Sequence, residues 1–98
     1  MRATYNKSVR VVKPKEKLID SLSDFLAKND YKIIKQAPDS LEASASANFF
    51  SWGEVVTVSF ITDEVINIKS QCKLPTQVFD WGKNRKNVKK IADFITRT

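Results

Sequence analysis

VVTVSFITDEVINIKSQCKL, residues 55–74, reads as two strands and the turn that joins them. In the first, Val56, Val58 and Phe60 fall on one face. In the second, Ile66, Ile68, Ser70, Cys72 and Leu74 share one parity against Asn67, Lys69, Gln71 and Lys73, the period of two that sets a half-buried strand. Asp63-Glu64 marks the turn. Strands joined by so short a link pair antiparallel, because a parallel pair needs a long crossover.

Working towards the N-terminus, Leu41, Ala43, Ala45 and Ala47 alternate with Glu42, Ser44, Ser46 and Asn48. Alanine is a poor strand former, so the alternation carries this strand. Ala37-Pro38-Asp39-Ser40 is a turn, proline setting φ and aspartate bonding to its own backbone, and Tyr31–Gln36 before it is a short strand. Four consecutive strands with short connections favour a meander. Upstream again, Leu18, Leu22, Phe25 and Leu26 recur at helical spacing, which predicts a helix over 15–28 with Pro14 in its first turn and Asn29-Asp30 as its stop. Tyr5–Val12, with Tyr5, Val9 and Val11 on one parity, is a first strand.

Beyond the hairpin, Pro75 ends the sheet. Val88, Ile91, Ala92 and Ile95 predict a second helix over 84–96, with Gly82 as a break before it. The element order is then β-α-β-β-β-β-α. A sheet with one apolar face and two amphipathic helices make an α+β two-layer sandwich: an antiparallel sheet with both helices packed on one face and the other face open and polar. Residues 1–98 form a single domain, too short for a second core. The alanine row leaves two options beneath a helix, close packing or a cavity for a small apolar ligand.

The formal charge of +6 is unevenly placed. Residues 1–64 hold nine basic and nine acidic side chains; residues 65–98 hold eight basic and two acidic, so the whole excess lies in the last third. Lys83, Arg85, Lys86, Lys89 and Lys90 form its densest part. Cations in the first turn of a helix oppose its dipole, whereas an anion there would offset the repulsion and meet free backbone N–H groups. These five residues are the candidate anion-binding site; a plain solvated face is the other reading.

The chain has no histidine and one cysteine, so Ser-His-Asp, Cys-His and His-metal sites are absent. It has no phosphate-binding glycine loop and no paired cysteines. The sequence implies no cofactor and points away from an enzyme. Cys72 is expected as a reduced, half-buried thiol. No apolar run reaches the roughly 18–20 residues that cross a bilayer. The start, MRATYNKSVRVV, lacks the apolar stretch and cleavage site of a secretory leader. The expectation is a soluble, cytoplasmic chain.

Two stretches stand out by composition, Phe49-Phe50-Ser51-Trp52-Gly53-Glu54 and Phe79-Asp80-Trp81-Gly82-Lys83-Asn84. Each sets Trp-Gly beside a carboxylate. Trp52 and Trp81 either close the ends of the core or form an aromatic platform for a base or ring.

The signatures SWGE, residues 51–54, and KLPTQVFDWGKNRKNV, residues 73–88, resemble those of a family of small, uncharacterised bacterial domains, over roughly residues 15–95. The resemblance implies the same fold and carries no activity. The element order is also similar to that of the TATA-binding protein and, in reduced form, to helix-grip carriers of apolar ligands, an analogy of fold alone. Three expectations for function follow. The first is a non-catalytic binding module whose basic helix start meets nucleic acid or an acidic membrane surface. The second is a carrier of a small apolar ligand between sheet and helices. The third is a protein-interaction accessory domain with an apolar patch near Phe49-Phe50.

Overall fold

The computed structural model describes residues 3–45, 53–73 and 82–97. Within them the chain runs β1 (Thr4–Arg10), α1 (Lys15–Lys28), β2 (Tyr31–Ala37), β3 (Ser40–Ala45), β4 (Glu54–Phe60), β5 (Val65–Cys72) and α2 (Lys83–Arg97). The five strands form one sheet in the order β1-β5-β4-β3-β2, every pair antiparallel. The hairpin of β4 and β5 is at its centre, and the α+β, β-α-β-β-β-β-α architecture is as the pattern predicts.

The register explains the layers. Glu54, Val56, Val58 and Phe60 of β4 stand opposite Cys72, Ser70, Ile68 and Ile66 of β5, and Leu41, Ala43 and Ala45 of β3 stand opposite Val58, Val56 and Glu54. This parity is the covered face. α1 lies over β2 and β3, and α2 lies over β5, β1 and β4. The helices meet at Phe25 and Phe94, whose rings stack with centroids 4.2 Å apart. Leu18, Leu22 and Leu26 of α1 and Val88, Ile91 and Ile95 of α2 join Leu41, Ala43, Val56, Val58, Ile66 and Ile68 in one buried cluster. The opposite parity, which includes Ser44, Thr57, Ser59, Asn67 and Gln71, is the uncovered polar face.

Several local expectations need correction. Pro14 precedes α1 as its N-cap, its carbonyl accepting from Leu18 N–H at 3.1 Å, rather than sitting inside the first turn. The residue in the left-handed region at the helix end is Asp30, φ 68°, and not Asn29. Asparagine instead spends its side chain on the helix, Nδ2 donating to the Phe25 carbonyl at 2.7 Å. β1 ends at Arg10, two residues early. Its Tyr5 is 38% exposed, because β1 is an edge strand with sheet on one side only. Lys7 stands opposite Ile68 on the helix-covered side of that edge, where a charge deters pairing with a further strand. In β2 the pairing shifts between Ile33 and Lys35, so Ile34 is an extra, exposed residue. Cys72 is 1% exposed rather than half-buried. The predicted strand residues Ser46, Ala47, Asn48 and Leu74 lie outside the described residues. Among the described residues no helix is long and apolar enough to cross a membrane.

The Asp63-Glu64 turn is the solvated corner its charges suggest. Lys15 Nζ reaches Asp63 at 2.8 Å and Arg10 reaches Glu64 at 3.4 Å. The hydrogen bond from Lys15 holds the Asp63 carboxyl below its ordinary range and the ammonium above its own.

Candidate functional site

Gly82 opens α2 with φ +77°, and its carbonyl accepts from Lys86 N–H at 3.0 Å. A Cβ there would meet nothing within 4 Å, so backbone conformation and not space favours glycine. From this start the helix sorts its residues by angle. Asn84, Asn87, Val88 and Ile91 point into the fold. Lys83, Lys86 and Lys90, three and four residues apart, share a neighbouring stripe. Arg85 and Lys89 are exposed on the outer side.

The lysine stripe lines an open cleft of about 230 Å³. Its other lining residues are Asn29, Asp30 and Tyr31 at the end of α1 and start of β2, Ala45 at the end of β3, Glu54 at the start of β4, and Asn87. Lys90 Nζ lies 5.8 Å from the centre of the Tyr31 ring, within cation–π range. Of the five basic residues singled out in the sequence, three therefore converge on one cleft; Arg85 and Lys89 do not line it. Trp52 and Trp81 lie outside the described residues.

Beneath the lysines runs a polar network that sequence reasoning missed. Tyr31 donates its hydroxyl to Asn87 Oδ1. Asn87 Nδ2 donates to Glu54 Oε1 at 3.0 Å and to Ser70 Oγ at 3.1 Å. Ser70 donates to Asn84 Oδ1 at 2.8 Å, and Asn84 Nδ2 donates to the Ala3 carbonyl at 2.9 Å and reaches Cys72 Sγ at 3.5 Å. Glu54 is 2% exposed, Asn84 and Ser70 are 0%. A polar group buried without a partner costs on the order of 1–3 kcal/mol, so these side chains hold one another in place. The network ties α2 to β4, β5, β2 and the residue before β1, and so fixes where the lysine stripe stands. A signal was present in the sequence. Glu54 and Ser70 occupy the apolar parity of their strands, and Asn84 continues the stripe of Val88, Ile91 and Ile95.

Burial, and then the nearby negative charge of Glu54, push the Tyr31 hydroxyl up from 10.0 to about 12. A group whose pKa rises on folding contributes stability that is complete below its unfolded value and lost as pH climbs through the folded one. Stability is therefore expected to fall as pH rises from 10 to about 12. Urea midpoints of the protein and of Tyr31→Phe across that interval check this. Parallel curves for the two would sink it.

Among the described residues no group of three or more histidine, cysteine, aspartate or glutamate side chains is placed to hold a metal ion. No match to the chain is found among curated proteins or among solved structures. The model of one family, described as a protein of unknown function (DUF1499), matches residues 2–95, and the chain belongs to that family.

Proposed function

We propose that this domain is a non-catalytic binding module that holds an anionic partner at the start of α2. The observation that carries the reading is the convergence of Lys83, Lys86 and Lys90 on one cleft, where none of them has an ion-pair partner among the described residues. Three unneutralised cations held together repel one another, and an anion between them removes the repulsion. The first turn of α2 carries no acidic residue to do so from within the helix. Arg85 and Lys89 extend the basic surface around the same helix. The partner's phosphates are those of nucleic acid or of an acidic lipid surface.

The volume of the cleft supports a small group over a large one, since sites for drug-sized ligands run to roughly 300–1,000 Å³. The carrier reading receives less support. Ala43 is fully buried within the apolar cluster, and Ala45 lines the open cleft with a polar floor. For nucleic acid, the likeness of element order to the TATA-binding protein, a reader of DNA through its sheet, makes the uncovered polar face a second surface to probe.

The test compares a fluorescent oligonucleotide with vesicles containing phosphatidylglycerol, each titrated at low and at raised salt. Binding is expected to weaken steeply with salt. The triple variant Lys83→Gln, Lys86→Gln, Lys90→Gln is expected to lose about tenfold or more at low salt and to flatten the salt slope by about two to three units on DNA. Arg85→Gln with Lys89→Gln is expected to lose less. Absence of binding to either probe at low salt would overturn the proposal.

A further inference from the structure

The cleft holds charges of opposite sign. From α2 come Lys83, Lys86 and Lys90; the same cleft is lined by Asp30 at the end of α1 and by the buried Glu54 at the start of β4. Asp30 is exposed and, like Lys83 and Lys86, takes part in no ion pair among the described residues. None of the three ammonium groups thus lies within 4.0 Å of the Asp30 carboxylate, and the cleft keeps both signs of charge unpaired with each other. A bare phosphate would meet the lysines but also share the cleft with the exposed Asp30 carboxylate, which repels it. A group carrying both a phosphate and an ammonium satisfies both signs.

We propose that the cleft selects a small phosphorylated amine, its phosphate on Lys83 and Lys86 and its ammonium at Asp30. This rests on the anion-binding reading and narrows it. A soluble phosphorylated amine and the phosphoethanolamine head group of a lipid share the phosphate and the ammonium, the first phosphate a monoester and the second a diester of charge −1. Asp30 is also the residue whose backbone is held at φ 68°, a conformation that aspartate and asparagine tolerate better than most side chains. Asp30→Asn therefore removes the charge and keeps the backbone.

The experiment titrates the protein and Asp30→Asn with phosphoethanolamine, glycerol 3-phosphate and inorganic phosphate, read by calorimetry or amide chemical shifts. In the native protein phosphoethanolamine is expected to bind about three- to tenfold more tightly than glycerol 3-phosphate, and in Asp30→Asn the two are expected to converge. A parallel arm uses vesicles of phosphatidylcholine with and without phosphatidylethanolamine. Binding only of the vesicles that contain it assigns the chemistry to a lipid; binding of the free compound alone assigns it to a soluble ligand. Equal affinity for the phosphates in the native protein, or a preference that survives Asp30→Asn, overturns this inference and leaves the anion reading standing. Failure of phosphoethanolamine in both free and lipid form also overturns it, and salt-dependent oligonucleotide binding then shows whether the broader reading survives.

Discussion

Asn87→Leu is expected to destabilise the domain by about 2–4 kcal/mol, a large share of the roughly 5–15 kcal/mol that holds a domain together. The two side chains are close in size, so the substitution opens little cavity and isolates the hydrogen bonds. It removes the acceptor of Tyr31 and a donor to both Glu54 and Ser70 at once. The largest part of the loss comes from Glu54, a carboxylate 2% exposed, which keeps its burial while losing a donor. Denaturant midpoints measure the effect. Glu54→Leu in the same background removes the carboxylate that lost this donor, and the double variant is expected to cost less than the two single changes summed. Strict additivity would mean that the two side chains do not depend on each other.

Leu22→Ala is expected to cost about 2–5 kcal/mol, the range for removing a leucine from a packed interior. For a domain of this size that lowers the melting temperature by roughly 8 °C at the least. Leu22 sits in the middle of the stripe of α1 between Leu18 and Leu26, fully buried against the sheet. Ser21→Ala, one position along and exposed, is expected to change stability by no more than about 0.5 kcal/mol. If Leu22→Ala cost as little as Ser21→Ala, α1 would not be packed on the sheet.

The contrast between these two sites also shows what a sequence reveals. Leu22 was legible because α1 states its period in one residue class, and the limits of 15–28 follow from Pro14 and the Asn29-Asp30 stop. The strands from 41 onward were legible by alternation, and their antiparallel order follows from the shortness of their links. The bulge at Ile34 was not, because Tyr31–Gln36 is too short and too mixed to reveal an extra residue. The cleft was half legible. Composition pointed to the run from Lys83 to Lys90, but only the helical angle separates the three lysines that face the cleft from Arg85 and Lys89. Asp30 reads as punctuation in the sequence, and nothing near it in the chain brings it into one cleft with Lys83. The network was hidden for a related reason. Asparagine, serine and glutamate read as surface until their parity is taken as seriously as their chemistry.

That network also determines how many arrangements the helix has to choose from. An apolar helix on an apolar sheet tolerates sliding, since one methyl group replaces another at little cost. Moving α2 by one residue means about 1.5 Å of travel and 100° of rotation, and it would part Asn84 from Ser70 and the Ala3 carbonyl and Asn87 from Glu54 together. Each misaligned state would strand several buried dipoles and a carboxylate in a dry interior. The apolar stripe makes the helix adhere; the asparagines make it adhere in one register, like the teeth of a key.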